Sequence, residues 1–275
     1  MRSLFVWKIT LSTLTLYTCL IWLVAVKSSA LSGTRLIACD VGQGDAFLII
    51  DGSAQILIDG GPNNKVTDCL SRYVPFWDRK LELVILTHPE ADHFTGLIDV
   101  FKRYRVETFL GNGLKNSTQS YQVLEDLVRR EGSQTLFPNT VNHLRIGLIY
   151  LDLLWPTSDH LSTHTDISNG YNNFSLVFTL KRGDFKALFT GDIEPEISSQ
   201  IPRLSDVDVL KIPHHGSKNG LTEELLNATT PEKAIISVGK NQWGHPHLEV
   251  LKMLEDANVE IHRTDLEGDI ILDLD

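Results

Sequence analysis

The stretch "LELVILTHPEADHFTG" (residues 81–96) joins an apolar run to a segment with two histidines and two carboxylates within six positions. A continuous apolar run predicts a buried strand with both faces covered, as in the central strands of a layered α/β domain. Strand ends are where a rigid scaffold can present side chains to a cleft. The stretch therefore predicts a functional site directly after a core strand.

The same arrangement recurs at five other places in the chain. Apolar runs also end in "DVGQGD" (40–45), "DGG" (59–61), "TGD" (190–192), "PHHGS" (213–217) and "WGHPH" (243–247). Any one of these motifs is compatible with an ordinary turn, since Gly–Asp pairs are common in turns. Six such endings together are hard to explain as turns, and we interpret them as the lining of one cleft.

The segment "HPEADH" (88–93) predicts metal binding, because imidazole and carboxylate are the usual ligands of Zn²⁺ and related divalent ions. His88 and Glu90 alternate on one side of an extended loop, whereas Asp92 and His93 are adjacent and can point to separate positions. A solvated turn with Asp92 as a helix N-cap would explain one carboxylate but neither histidine. We therefore expect this loop to supply ligands to two metal positions.

The remaining motifs supply further candidates for the same site. Asp192 is the candidate for a carboxylate that bridges two ions. In "PHHGS", two imidazoles, backbone N–H groups and the Ser217 hydroxyl come together, which suits a metal ligand and a phosphate contact. His245 is a further candidate, whereas His247 is better explained as an exposed residue at a helix N-terminus. We predict surface positions for the histidines without a supporting motif, namely His143, His160, His164 and His262.

Two alternatives stay open for the carboxylates of the first two motifs. Asp40, Asp45 and Asp59 can orient metal-bound histidines, or they can belong to hairpin turns.

The chain contains no Gly-Lys-Ser/Thr phosphate loop and no Gly-x-Ser-x-Gly elbow. The sequence therefore indicates neither nucleotide binding by a phosphate loop nor catalysis by an α/β-hydrolase serine.

Composition limits the class of protein. The 275 residues are 42% hydrophobic, which is enough for a sizeable core. The net charge of −10 and the pI of about 5.4 do not indicate a basic face for duplex nucleic acid, although bound cations can supply local positive charge for a phosphodiester. The three cysteines form no disulfide framework. Cys39 and Cys69 could pair in an oxidising compartment, but we favour buried thiols.

Residues 1–30 read as a targeting segment. The run "ITLSTLTLYTCLIWLVAV" (9–26) contains no charge and is near the minimum length for a membrane-spanning helix. It is either an uncleaved signal anchor, which we favour slightly, or a signal peptide cleaved near Ala30. Both alternatives place the rest of the chain outside the cytosol, anchored to a membrane or secreted.

Residues 34–275 predict one domain in which strands outnumber helices. Each half of this region is rich in strands, with helices following. The natural layering is two packed sheets with helices outside, an αβ/βα four-layer sandwich, preceded by the N-terminal apolar helix. The polar stretch 157–173 lacks periodicity and is interpreted as an active-site loop or a mobile insertion.

The ordered motifs resemble those of the metallo-β-lactamase fold superfamily. They are most similar to the extracellular hydrolase domain of ComEC-type competence (DNA-uptake) proteins. The resemblance covers about residues 34–275 and is carried by "DVGQGDAFLI", "ILIDGG", "LTHPEADHFTGL", "LLWP", "NNFSLVFTL", "LFTGDIEPE", "DVLKIPHHGS" and "SVGKNQWGHP". ComEC-type proteins also carry a multi-helix membrane channel before this domain, whereas this sequence has one apolar segment at most. The resemblance therefore does not imply a DNA-translocation role for this chain.

The resemblance implies a set of metal residues. They are His88, Glu90, Asp92, His93, Asp192 and His215. His214 lies beside the last ligand, and His245 matches the "GHP" position. Glu90 stands where the wider superfamily has a second histidine, as is usual in ComEC-like members, and Asn173 stands where a third-motif histidine is expected. The position served by His88 and Glu90 therefore has weaker ligands, which makes Mn²⁺ or Mg²⁺ compatible as well as Zn²⁺.

The expected function is metal-dependent hydrolysis by one or two divalent ions, with a phosphodiester or nucleic acid as substrate. Asp92, His214 and His245 are the expected catalytic residues; the two histidines would stabilise developing charge. The alternative is a catalytically weak or inactive protein of the same fold that binds nucleic acid or a partner. The replacements at Glu90 and Asn173 keep this alternative open.

Overall fold

A computed structural model of the chain describes residues 2–29, 33–157, 160, 170–202 and 204–274. The predicted cleavage site at Ala30, the predicted surface residue His164 and most of the predicted loop 157–173 lie outside the described residues. The N-terminal segment forms helix α1 (Arg2–Ser29). Among the residues that the structure describes, we find no helix whose length and apolar character would let it cross a bilayer.

Fourteen strands of the described chain form two seven-stranded sheets. The first sheet contains β1 (Thr34–Ala38), β2 (Phe47–Asp51), β3 (Ala54–Ile58), β4 (Lys80–Leu86), β5 (Arg105–Gly111), β6 (Gln134–Leu136) and β14 (Ile270–Asp273). The second sheet contains β7 (His143–Ile146), β8 (Ile149–Trp155), β9 (Val177–Arg182), β10 (Phe185–Phe189), β11 (Val209–Lys211), β12 (Lys233–Ile236) and β13 (Glu260–Arg263). Their spatial orders are β14-β1-β2-β3-β4-β5-β6 and β13-β12-β11-β10-β9-β8-β7.

Helices pack on the outer face of each sheet. On the first sheet these are α2 (Lys65–Tyr73), α3 (Ala91–Phe94), α4 (Leu97–Arg103) and α5 (Gln119–Glu131). On the second sheet they are α6 (Pro195–Ser198), α7 (Glu223–Thr229) and α8 (Leu248–Asp256). The short α9 (Thr264–Glu267) follows β13, and 3₁₀ turns lie at Asn172–Phe174 and Pro213–Gly216. These layers confirm the predicted αβ/βα sandwich.

The core shows why the second half of β4, from Leu83 to Leu86, is apolar at every position. Leu83 and Ile85 belong to the cluster between the two sheets, whereas Val84 and Leu86 belong to the cluster under the helices of the first sheet. Successive side chains of a strand point to opposite faces, so a strand covered on both faces needs apolar residues at every position.

Strand direction brings the predicted motifs together. The pairs β3–β4, β4–β5 and β5–β6 are parallel, as are β10–β11, β11–β12 and β12–β13. The carboxyl ends of parallel strands meet at the same edge of a sheet. Strand β1 runs in the same direction as β3, because the pairs β1–β2 and β2–β3 are both antiparallel. The turn from β1 to β2 therefore lies at that edge too. The six motifs therefore converge on one end of the domain.

Two sequence predictions are wrong. Cys39 and Cys69 are buried, but they form a disulfide rather than two thiols, because β1 and α2 bring their Cα atoms to 5.9 Å. His160 is buried rather than on the surface. The centroid of its ring lies 4.2 Å from that of Trp155 and 5.1 Å from that of Phe174. Packing against these aromatic rings buries His160, and no motif in the sequence indicates this contact.

The disulfide predicts a specific thiol count and stability loss. Denatured, unreduced protein should show one reactive thiol per chain, that of Cys19. The Cys39→Ala/Cys69→Ala variant should lose roughly 2–4 kcal/mol of unfolding free energy in urea, because the bridge restricts the unfolded chain. Cys19→Ala is the matched control and should leave stability unchanged. Three reactive thiols in the unreduced protein would contradict the pairing.

Candidate metal centre

The loop after β4 buries two of its four ionisable groups and leaves Asp92 and Glu90 partly exposed. His88 and His93 are fully buried, and the side chain of Asp92 is 31% exposed. Glu90, not Asp92, occupies the N-cap position of α3, and it makes no capping hydrogen bond through its side chain. The N-cap explanation for Asp92 is therefore not what the structure shows. Asp92 and His93 instead reach His215 and Asp192, which follow strands β11 and β10 of the second sheet.

Four side chains converge on one point. Asp192 Oδ2 lies 3.3 Å from His93 Nε2 and 3.2 Å from His215 Nε2. Asp92 adds Oδ2 at 3.4 Å from His215 Nε2 and Oδ1 at 4.0 Å from His93 Nε2. Ligand atoms about 2.1 Å from a tetrahedral ion lie roughly 3.4 Å apart. These separations fit a shared divalent ion.

A second grouping adjoins the first. The ligand atoms of His88, His93 and Asp192 lie within 4.8 Å of one another, and the two histidine ring centroids are 4.1 Å apart. His88 Nδ1 is near the hydroxyls of Thr87 (3.1 Å) and Ser175 (3.3 Å). His88 Nε2 is buried, and we find no hydrogen-bond partner for it among the described residues. Buried polar atoms are normally satisfied, so this nitrogen fits a metal ligand role.

The outward nitrogens of two of these histidines are held by neighbouring groups. His93 Nδ1 lies 2.9 Å from Asp59 Oδ2, and Asp59 in turn accepts hydrogen bonds from Thr87 N and Oγ1 at 2.8 and 2.7 Å. His215 Nδ1 lies 2.8 Å from the Ser237 carbonyl oxygen and 3.3 Å from Asp45 Oδ1. Such contacts fix the tautomer, so that Nε2 faces the cluster in each case.

Lys211, at the end of β11, is a buried cation beside these acids. Its Nζ pairs with Asp45, lies 3.1 Å from Asp192 Oδ1 and donates to the Gly191 carbonyl at 2.7 Å. One oxygen of Asp192 is thus held by Lys211, and the other faces the histidines. The sequence analysis missed Lys211. Its signal was a lysine within the otherwise apolar run "VLKIP".

Electrostatics favours a cation in the cluster. Burial and the nearby His93 lower the pKa of His88 to about 3, which keeps it neutral and able to bind a metal. Burial opposes charge on His93 and His215, yet Asp192 and a second carboxylate raise the pKa of each well above its usual range. In the metal-free protein, protons on these two histidines compensate the acids that an ion would otherwise compensate.

Backbone geometry at the site is strained. Asp59, His214 and His215 have φ of 56°, 51° and 55°, a left-handed region that costs non-glycine residues of order 1–3 kcal/mol each. Gly44 shows why "DVGQGD" needs glycine, because a Cβ there would lie 2.2 Å from the Asp92 carbonyl oxygen. The first motif is thereby packed directly onto the metal-binding loop.

His214 and His245 lie together beside the cluster. Their ring centroids are 5.7 Å apart, and the Trp243 ring stacks on His245 at 6.2 Å. Burial lowers the pKa of His214, and burial together with His214 lowers the pKa of His245 to about 4. Both imidazoles are therefore neutral at pH 7 and can donate a hydrogen bond.

Four predicted residues lie outside the cluster. Glu90 is half-buried, and burial followed by the Asp92 charge raises its pKa, but its carboxylate joins none of the metal-ligand groups within the described residues. The Asn173 amide donates to Glu196 Oε1 at 2.7 Å.

Ser217 Oγ accepts from Asn219 N at 3.2 Å, and Asp40 Oδ1 accepts from Gly42 N at 3.1 Å. These contacts agree with the turn alternative for Asp40. They place the Ser217 hydroxyl in a local turn rather than among the metal ligands.

Comparisons with known proteins agree with this architecture. The sequence model of a family described as the metallo-beta-lactamase superfamily matches residues 39–240. The crystal structure of the metallo-beta-lactamase fold protein YhfI from Bacillus subtilis superposes with a TM-score of 0.59 at 14% identity, covering 87% of this chain and 99% of that one. The fold predicted from the sequence is confirmed.

Two bacterial proteins are similar in sequence. ComE operon protein 3 of Bacillus subtilis (strain 168) is 29% identical over 255 residues, covering 84% of this chain and 32% of that protein. Recombination protein 2 of Haemophilus influenzae is 30% identical over 237 residues, covering 84% of this chain and 28% of that protein. The predicted resemblance to ComEC-type proteins is confirmed, and the chain spans less than a third of the length of these relatives.

Replacing Lys211 by an uncharged residue should destabilise the folded protein. Lys211→Met should lower the unfolding free energy of the metal-free protein by roughly 3–5 kcal/mol, because two buried carboxylates lose their partner. Lys233→Met is the control, since Lys233 forms an exposed pair with Glu260 and should cost less than about 1 kcal/mol. Urea unfolding in the presence of a chelator measures both. Equal losses in the two variants would contradict the assignment.

Proposed function

Because the chain belongs to the metallo-β-lactamase superfamily, we propose that it is a metal-dependent hydrolase that cleaves phosphodiester bonds, with nucleic acid as the substrate class. One observation carries the proposal. Asp92, His93, Asp192 and His215 bring imidazole nitrogens and carboxylate oxygens to separations of 3.2–4.0 Å. Contacts at Nδ1 already fix the rings of His93 and His215, so their Nε2 atoms face the other ligands before an ion binds.

Two unequal metal positions are proposed. Asp92, His93, Asp192 and His215 form the better one, and His88 shares Asp192 with it to form the other. The second position draws on Glu90 only after the Glu90 side chain moves. With a divalent ion bound, the site gains Lewis-acid chemistry and a means of deprotonating water near neutral pH. Zn²⁺ and Mn²⁺ suit the nitrogen and oxygen ligands, and Mg²⁺ suits the oxygen-rich position.

The residues around the cluster have complementary tasks. Lys211 holds Asp192 in place, and Asp59 and Asp45 hold the rings of His93 and His215. The neutral imidazoles of His214 and His245 are proposed to donate hydrogen bonds to the phosphate oxygens as charge develops on them.

The shape of the surface next to Asp92 supports a nucleic-acid strand as substrate. A cavity of about 600 Å³ opens there, and Lys65, Lys240, Trp243 and Asn63 are among its lining residues. Lysine side chains can contact backbone phosphates, and an exposed indole offers a surface on which a base can stack. Glu90 and Asp92 line the same cavity, so the two lysines face the acidic side on which the metal ligands lie.

An extracytoplasmic location is proposed for this activity. The Cys39–Cys69 disulfide supports it, since disulfides persist in oxidising compartments. The uncharged run at residues 9–26 supports attachment to a membrane or export. The proposal concerns the hydrolytic step alone and not the wider role of the longer relatives.

Loss of a central ligand should abolish activity. We expect His93→Ala to lower Mn²⁺- or Zn²⁺-dependent cleavage of single-stranded DNA and of a small phosphodiester at least roughly 100-fold, because it removes a ligand of the better metal position. His143→Ala, an exposed histidine paired with Asp152, is the control and should retain activity. Full activity in the His93→Ala variant would contradict the proposal.

The position near His88 should respond to a change at Glu90. Glu90→His adds an imidazole ligand for zinc and should let the purified protein retain a second Zn²⁺ ion after dialysis, as measured by elemental analysis. Glu107→His, on the exposed surface of β5, is the control and should not change the zinc content. Binding of no metal by the wild-type protein would favour the alternative of a non-catalytic binding protein.

A further inference from the structure

Two adjacent aromatic side chains stand out at the end of the domain opposite the metal centre. Phe76 is 82% exposed and Trp77 is 53% exposed, and their ring centroids lie 4.9 Å apart in an edge-to-face arrangement. They lie in the loop between α2 and β4. The seven residues of β4 span roughly 23 Å, at about 3.3 Å per residue, between this loop and His88.

Exposed cations flank this aromatic pair. Arg79, Arg103 and Arg105 are exposed, and we find no carboxylate partner for any of them within the described residues. The Arg105 amide donates to the Arg79 carbonyl at 2.7 Å, so these two arginines lie on neighbouring strand ends. Tyr104 lies close enough to Arg79 and Arg103 to interact electrostatically with both.

The carboxylates at this end are already engaged. Glu82 and Glu107 both pair with Lys80, at 3.2 and 2.8 Å. Asp78 accepts hydrogen bonds from Gln55 Nε2 at 2.9 Å and from the Lys80 amide at 3.2 Å. The Arg103 guanidinium donates one hydrogen bond to Thr67 Oγ1 at 3.2 Å, but none of the three arginines has a carboxylate partner among the described residues. Their remaining N–H donors can therefore bind an anion outside the domain. In a chain of net charge −10, such a group of cations around exposed aromatic rings is a specific feature.

The chain enters the domain at this same end. Thr34, the first residue of β1, pairs with Asp51 at the end of β2, next to the turn that leads to Ala54 in β3. The parallel strands β4 and β5 begin beside it at Lys80 and Arg105. The uncharged run at residues 9–26 therefore leads along the sequence to the end that carries the aromatic pair.

We propose that this face, formed by Phe76, Trp77, Arg79, Arg103 and Arg105, docks on the surface of an anionic lipid bilayer. Aromatic side chains favour the interface between headgroups and acyl chains, and arginine pairs with lipid phosphates. Docking in this way points the metal centre away from the bilayer, toward the aqueous phase. The proposal is independent of whether the metal centre is catalytic.

The test measures the position of Trp77 in the full chain reconstituted into vesicles. Vesicles contain phosphatidylcholine alone or with phosphatidylglycerol, and brominated acyl chains serve as the quencher. Subtracting the emission of Trp77→Phe from that of the wild type isolates one of the five tryptophans. We expect Trp77 emission to shift to shorter wavelength and to be quenched in the anionic vesicles.

Trp243 is the matched control. It is 61% exposed but lies beside the metal centre, so the difference between wild type and Trp243→Phe should show no quenching. Equal quenching of the two tryptophans, or no quenching of Trp77, would overturn the proposal. The readout is local, so membrane attachment of the chain through residues 1–30 cannot by itself produce the expected result.

Charge reversal tests the arginines. Arg79→Glu/Arg103→Glu/Arg105→Glu should abolish quenching of Trp77, whereas Arg130→Glu/Lys218→Glu/Lys252→Glu makes the same change in net charge at other exposed positions and should preserve it. Thermal unfolding verifies that both variants are folded. Wild-type quenching in the first variant would show that anionic headgroups are not recognised by this face.

Discussion

The burial of carboxylates is the constraint on which the rest of this structure depends. Asp45, Asp59 and Asp192 are almost fully inaccessible to solvent at one end of a sandwich of sheets. A buried carboxylate is tolerated only when charged and hydrogen-bonding partners surround it. Lys211 and His93 are among those partners, and the strained backbone and close-packed glycines of the surrounding loops bring them within reach.

The same constraint gives the site its chemistry. With Asp92, four carboxylates lie within 4.0 Å of a ring nitrogen of His93, and Lys211 pairs with two of them, Asp45 and Asp192. Such an excess of negative charge attracts either protons on the histidines or a divalent ion. Because Asp59 and the Ser237 carbonyl occupy the outward nitrogens, the inward nitrogens are the ones available to an ion. The folded chain thus holds these candidate metal ligands in place through its own hydrogen bonds.

Parallel strands give the two ends of the domain different characters. Their carboxyl ends carry the buried acids and imidazoles, whereas their amino ends carry Phe76, Trp77 and the exposed arginines Arg79, Arg103 and Arg105. A hydrolase attached to a bilayer would benefit from this polarity, since one end can face the lipid while the other meets a substrate from solution. Both ends are built by strand termini, where loops tolerate residues that the core excludes.

What the sequence by itself determined is local. The uninterrupted apolar run of β4 predicts a strand covered on both faces, and the polar ends of these runs identify His88, Asp92, His93, Asp192 and His215 as neighbours in one cleft. These inferences succeed because an apolar run and the polar residues that end it are consecutive in the sequence, so the pattern is visible without the fold.

Only the tertiary structure decided which distant groups touch. It joins Cys39 to Cys69, pairs Lys211 with Asp45 and Asp192, and leaves Glu90 outside the clustered ligands. Each outcome depends on differences of one or two ångströms in how loops and sheets pack. Such distances are set by the packing of the whole core, and residue spacing along the chain does not encode them.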